Sequence, residues 1–208
     1  MSVAIIDYGA GNLRSAEKAF LHVAKDQSVI VTSRAEDILA ATHIVLPGVG
    51  AFEDCATGLS SLPGMVEAMK ERVIKQGQPM LGICVGMQLM CSLGHENGQH
   101  DGLGWIDGDV CPLVPAQEKL KIPHMGWNDI SLTRPHPVTN GLNEAHMYFV
   151  HSYYAKLEKK EDTIATTDYA QIFPAIIGRD NIIGTQFHPE KSQRAGLHLL
   201  SNFLEWRP

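Results

Sequence analysis

The chain has 208 residues, 44% of them hydrophobic, and 17 basic against 23 acidic side chains give it a net charge of −6. A chain of this length buries roughly 70% of the surface its unfolded form exposes, which excludes disorder as its main state. The acidic balance argues against a nucleic-acid or anionic-membrane surface, because both demand an excess of positive charge. No stretch approaches the ~20 consecutive apolar residues of a membrane span, and Met1-Ser2-Val3-Ala4 lacks the basic start of a secretory leader. The expected location is the cytoplasm. Cys55, Cys84, Cys91 and Cys111 have neither the spacing of a zinc site nor the density of a disulfide scaffold.

The pattern along the chain predicts one continuous domain over 1–208, without repeats or long linkers. Val3-Ala4-Ile5-Ile6 reads as a strand, Tyr8-Gly9-Ala10-Gly11-Asn12 as a Gly-rich turn, and the stretch carrying Leu13, Ala16, Phe20 and Val23 as a helix. Val29-Ile30-Val31 and His43-Ile44-Val45-Leu46 are further strands. A helix is expected from near Pro63 to Gly77, and a fourth apolar strand over Pro79-Met80-Leu81-Gly82-Ile83. Near-continuous apolar strands separated by helices indicate a parallel sheet covered on both faces, hence an α/β three-layer sandwich with a mostly parallel central sheet. After about Leu103 the strands turn shorter and more polar, over 104–110, 121–132, 147–155 and 176–185, and read as mixed or antiparallel additions. A last helix carries the stripe Leu197, Leu200, Phe203 and Leu204, with Ser192 as its expected N-cap.

Gly82-Ile83-Cys84-Val85-Gly86 stands at a strand-to-helix junction and is the sulfur counterpart of a G-x-S-x-G nucleophile elbow. A nucleophile on so sharp a turn brings backbone close to its neighbours, and only glycine leaves room on both flanks. A helix beginning at Val85 would direct N–H groups at the sulfur and favour thiolate. A thiolate needs a base and an orienter, and Phe187-His188-Pro189-Glu190 supplies both. In extended backbone, side chains two residues apart share a face, so Glu190 is expected to reach the His188 ring and fix its tautomer. Leu46-Pro47-Gly48-Val49-Gly50 is the third element: glycines on both sides let the Val49 peptide turn its N–H toward an oxyanion, with the Val85 N–H as second donor.

These motifs resemble the triad, or class I, glutamine amidotransferases. Within that family, five blocks resemble the glutaminase subunits of imidazole glycerol phosphate synthases: Asp7 to Ser15, Leu46 to Phe52, Pro123 to Asn128, Tyr148 to Tyr154 and Gln186 to Ser192. The resemblance implies that Cys84 attacks the side-chain amide of glutamine, that His188 protonates the departing ammonia, and that a (β/α)8-barrel cyclase partner uses the ammonia in histidine biosynthesis. It implies glutamine-binding roles for Gln88, Ser152 and Tyr153, a place for Gly50 on the oxyanion loop, and contact with the cyclase for Asn12, Trp127, Tyr148 and Lys191. Taken alone, Lys191 equally suits a solvated surface and Trp127 a core. The chain departs from the family pattern at Tyr169-Ala170, where a glycine is more usual, and in the His95-rich stretch from Gly94 to Asp101.

No metal and no cofactor are expected. Gly9-Ala10-Gly11 lacks the third glycine of a dinucleotide fingerprint, since Arg14 stands in its place. A cysteine hydrolase working alone and a non-catalytic binding module remain as alternatives from other classes. The glutaminases of pyridoxal phosphate or anthranilate synthesis remain as alternatives within the family.

Overall fold

The computed structural model describes residues 2–25, 27–115 and 120–208. Its first half alternates strand and helix: β1 Ser2–Ile6, α1 Leu13–Val23, β2 Ser28–Thr32, α2 Ala35–Ala40, β3 His43–Gly48, α3 Phe52–Ser61, α4 Met65–Met69 running on as a π-turn over Lys70–Lys75, β4 Met80–Cys84 and α5 Val85–Gln88. The expected helix from Pro63 to Gly77 is α4 with its π extension, ended at Gly77 in the left-handed region (φ +69°).

The second half holds β5 Leu93–Gly94, β6 His100–Asp101, β7 Gly108–Pro112, β8 His124–Asp129, β9 Ser131–Leu132, β10 His146–His151, β11 Tyr153–Leu157, β12 Thr163–Tyr169, β13 Gln171–Arg179, β14 Ile182–Thr185 and α6 Gln193–Glu205. The expected strands of this half are shorter or divided. The strand expected over 104–110 starts at Gly108 instead, and the one expected over 147–155 breaks at Ser152 into β10 and β11, which join different sheets. The segment 176–185 is a hairpin, β13 antiparallel to β14.

The main sheet has eight strands in the order β2-β1-β3-β4-β14-β13-β12-β9. From β2 to β14 the pairings are parallel, and beyond β14 they are antiparallel. β3, β4 and β14 are buried at every position, as strands covered on both faces must be. The helices fall into two packed groups, α1 with α6 and α2 and α3 with α4, so the three-layer expectation holds. Smaller sheets, β10-β8 and β11-β7-β5-β6, stand beside the main one.

This topology positions the site. β3, β4 and β14 are parallel neighbours, so their carboxyl ends emerge together. They deliver Gly48-Val49-Gly50, Cys84, and Gln186 to His188 to one end of the sheet, where open α/β sheets bind their ligands.

Candidate active site

Cys84 ends β4 with φ +54° and ψ −112°, a conformation that an L-residue adopts only at a cost. The flanking glycines make the bend possible. A Cβ on Gly86 would lie 1.8 Å from the Leu46 carbonyl oxygen, and one on Gly82 would lie 2.7 Å from the Gly86 carbonyl oxygen. The elbow is thus pressed against β3 with no space for side chains at either flank. The helix that follows is shorter than the sequence suggests: α5 is a single turn, Val85–Gln88, so any help to a negative sulfur comes from its first N–H groups rather than from an extended helix dipole.

His188 and Glu190 form a hydrogen-bonded pair, Nδ1 to Oε1 at 2.8 Å, with side chains only 1% and 3% exposed. The sequence suggests an extended connection, but Pro189–Lys191 forms a 3-10 turn and Glu190 reaches back to His188 through it. Burial opposes charge on His188, but the neighbouring Cys84 sulfur and the Glu190 carboxylate outweigh it and raise the imidazole from its ordinary 6.5 to about 10. Its Nε2 is buried without a protein partner and is therefore available to a ligand. Ser192 does not cap α6 with its side chain: the hydroxyl donates to the His188 carbonyl at 2.6 Å and accepts the Tyr148 N–H at 3.0 Å, bracing this turn instead.

The loop leaving β3 is held from below. Tyr8 donates from its hydroxyl to the Pro47 carbonyl at 2.5 Å, and the Cys55 thiol donates to the Val49 carbonyl at 3.5 Å. Gly48 has to be glycine, since a Cβ would lie 2.6 Å from the Gly86 nitrogen and 2.8 Å from the Tyr8 hydroxyl. Gly50 is different: its φ of +100° is left-handed, yet a Cβ there would meet nothing within 4 Å. Backbone conformation alone selects glycine at that position.

A cavity of about 440 Å³ opens over Cys84 and His188, and Val49, Gly50, Val85, Gln88, Ser152 and Tyr153 line it. The candidate residues from four distant segments are therefore brought together. Gln88 is almost fully buried, and both hydrogens of its amide are engaged, by the Tyr153 carbonyl at 3.0 Å and by Gln186 Oε1 at 3.1 Å. Two ionisable side chains of the lining carry no role in the sequence reading: Glu96, whose carboxylate accepts the Phe52 N–H at 2.8 Å, and His151. Glu96 lies in the His95-rich stretch, which the structure builds as the β5–β6 hairpin, tied down by His95 to Asp109 at 2.8 Å. Among the described residues no group of three or more His, Cys, Asp or Glu could hold a metal ion.

Asn12 and Lys191 stand on the wall of the cavity. Beside it Tyr148 and Trp127 are cross-strand partners on β10 and β8, with ring centroids 5.9 Å apart, and the Lys191 ammonium lies 5.9 Å from the Tyr148 ring centroid. Trp127 is 47% exposed and so is not a core aromatic; with Met125, 63% exposed, it forms an apolar surface next to the cavity mouth. At Ala170 the β12–β13 turn has φ +63°, which explains why glycine is the residue expected there.

The model of the family "Glutamine amidotransferase class-I" matches residues 4–206. The chain belongs to that family. It is 51% identical over 216 residues to the imidazole glycerol phosphate synthase subunit HisH of Agrobacterium fabrum, with full coverage of both chains. It is 52% identical, again with full coverage, to the HisH subunit of Bradyrhizobium diazoefficiens. Among solved structures, a crystal structure of a glutamine amidotransferase superposes with a TM-score of 0.73 at 15% identity, covering 97% of this chain and 98% of the other. The structure of PurLQS from Thermotoga maritima superposes with a TM-score of 0.66 at 16% identity, covering 98% and 97%. These two structures share the fold.

Proposed function

We propose that this chain hydrolyses glutamine and supplies the ammonia to the cyclase of imidazole glycerol phosphate synthase in histidine biosynthesis. The observation that carries the reading is the single cavity in which the strained Cys84 elbow, His188 and the glycine loop of β3 meet. Full-length identity of about half to named subunits of that synthase supports the choice of acceptor.

In this mechanism the Cys84 sulfur attacks the side-chain amide carbon of glutamine, forming a C–S bond as the carbonyl electrons move onto oxygen. The oxyanion is met by the N–H groups of Val85 and Val49. His188, charged at neutral pH through Cys84 and Glu190, gives its Nε2 proton to the departing nitrogen, and the C–N bond breaks with release of ammonia. The neutral imidazole then takes a proton from water, whose oxygen attacks the thioester; glutamate leaves and Cys84 is restored. Gln88, Ser152 and Tyr153 hold the amino-acid end of the substrate, and the carboxylate of Glu96 offers a counter-charge to its ammonium group.

Asn12, Trp127, Tyr148 and Lys191 form the docking face for the partner, which we take to be a (β/α)8-barrel cyclase forming a heterodimer with this chain. The whole chain works as one glutaminase domain, in keeping with a continuous buried core that draws on both halves of the sequence. We place it in the cytoplasm, where four free thiols stay reduced. Among the described residues no helix is long and apolar enough to cross a membrane.

The test is the rate of glutamate release with and without the cyclase partner and its nucleotide substrate. The proposal expects slow hydrolysis by the free chain and a marked rise in the complex. Equal rates would remove the coupling from the account, and turnover of peptides in place of glutamine would favour an independent cysteine hydrolase.

A further inference from the structure

β8 alternates between two environments. Met125 and Trp127 face out on the proposed docking surface, whereas His124 is buried and Asn128 faces the β12 edge. Asn128 donates from Nδ2 to the Asp168 carbonyl at 3.0 Å and lies 3.4 Å from His124 Nε2. His124 Nδ1 lies 3.0 Å from His151 Nε2, and His151 Nδ1 lies 2.8 Å from the Tyr153 carbonyl. That same carbonyl accepts from Gln88 Nε2, which also donates to Gln186 Oε1 at 3.1 Å, while Gln186 Nε2 donates to Cys84 Sγ at 3.8 Å.

The direction of every link is fixed by backbone. A carbonyl can only accept, so the Tyr153 oxygen requires a proton on His151 Nδ1 and requires the NH2 end of Gln88 to face it. With Nδ1 protonated, neutral His151 accepts at Nε2, which makes His124 Nδ1 the donor and leaves His124 Nε2 to accept from Asn128. The Asp168 carbonyl fixes the Asn128 amide independently. On the other side, the Gln88 NH2 group can only meet an oxygen, so Gln186 turns its oxygen to Gln88 and its NH2 to the sulfur. Burial holds His151 at about 3 and His124 at about 4, so each carries the single ring proton that this order requires.

We propose that Gln186 is a positioning residue for the Cys84 sulfur and the last donor of a hydrogen-bond chain that begins on the strand carrying Trp127. The inference rests on Cys84 being the nucleophile. The chain does not carry protons, because two donors converge on the Tyr153 carbonyl and no proton passes through it. It orients groups. The Gln186 amide aims an N–H at the sulfur, whereas the Val150 carbonyl, 3.9 Å from Sγ, accepts from the thiol, so Gln186 acts alongside the His188 imidazolium and against that carbonyl. The other titratable groups around the sulfur are His188, His151, Tyr8 and Cys55, with Glu96 and Lys191 on the cavity wall. Displacement of β8 by a bound partner would reach the sulfur through Asn128, His124, His151 and the two glutamines.

The test is the pH dependence of Cys84 alkylation by iodoacetamide in the full chain, read by mass spectrometry of the peptide that carries it. Gln186→Glu keeps the size of the side chain and an oxygen for Gln88 and, once ionised, sets an acceptor in place of the donor at the sulfur. Gln186→Met removes both polar ends. Each should move the alkylation midpoint upward and slow the reaction at pH 7 by about tenfold relative to its high-pH limit, the effect of losing one hydrogen bond to a charged group. His124→Phe, which keeps the stacking on Tyr169 and Phe149, should move the midpoint the same way by less, and should add nothing once Gln186 is replaced. An unmoved midpoint in both Gln186 variants would overturn the assignment, and effects of His124 and Gln186 that simply add would overturn the chain. Because alkylation needs no glutamine turnover, failure here is distinct from failure of the glutaminase reading, which loss or survival of turnover in Cys84→Ala decides.

Discussion

The carbonyl oxygen of Leu46 occupies the place where a side chain on Gly86 would begin, 1.8 Å from an ideal Cβ. β3 and the nucleophile elbow are therefore in direct backbone contact, and the loop leaving β3 is set by the same contact that sets Cys84. Gly86→Ala should consequently disturb two parts of the site at once. We expect a loss of about 3 kcal/mol or more of stability, or failure to fold, from forced backbone separation. Urea denaturation monitored by circular dichroism measures it.

The His188–Glu190 pair makes an independent prediction. Glu190→Gln removes the carboxylate that supports imidazolium, so the His188 titration followed by NMR should move down from about 10. Glutamine turnover should fall by about 10²-fold or more, as when the partner orienting a catalytic base is lost. Stability carries a signature too. The folded value lies above the ordinary 6.5, so the native state holds this proton more tightly than the unfolded chain. That contribution is complete below about 6.5 and disappears as pH rises through about 10, and the variant should show less alkaline destabilisation.

Gly50→Ala separates conformation from sterics, since nothing stands within 4 Å of the added methyl group. Its φ of +100° is unfavourable for alanine, so the loop should settle into another conformation at a stability cost of about 1–2 kcal/mol. The oxyanion donor would then be misplaced, lowering kcat by about 10²-fold with KM much less affected. Steady-state kinetics in the presence of the cyclase partner check this.

Buried histidines make the fold acid-sensitive. Burial lowers His43, His124 and His136 to about 4 and His151 to about 3, with Arg207 adding to the effect at His43. These folded values lie below the ordinary 6.5, so the unfolded chain takes up protons first as pH falls. These four histidines should leave stability unchanged above about 6.5, where the loss tied to His188 acts instead, and lower it from about 6.5 toward pH 4. Urea midpoints between pH 7.5 and 4.5 should trace that slope, and His124→Phe should flatten it.

Features written in local chemistry were readable from the chain. Gly82 and Gly86 announce the elbow because no other residue fits against Leu46 and Gly86, and the apolar runs of β1, β3 and β4 announce strands buried on both faces. Features that depend on neighbours distant in sequence were not. α2 and α3 carry little local signal, since neither is long and α3 holds Gly58 and two serines that blur its apolar face. Glu96 has no local signature because its placement comes from the Phe52 N–H, 44 residues away. Gln186 and His151 stood inside quoted motifs, but their importance lies in bonds to Cys84 and His124 that no local pattern encodes. Ser192 sits where a cap is expected, but its hydroxyl goes back to the His188 carbonyl and across to the distant Tyr148 N–H.

Cys84→Ala tests the central claim most directly. The variant, combined with the cyclase partner, should lose glutamine-dependent synthesis of imidazole glycerol phosphate yet keep synthesis fed by ammonium salts, because only the source of ammonia is removed. Persistence of glutamine turnover at the wild-type rate would contradict the assignment of this sulfur as the nucleophile.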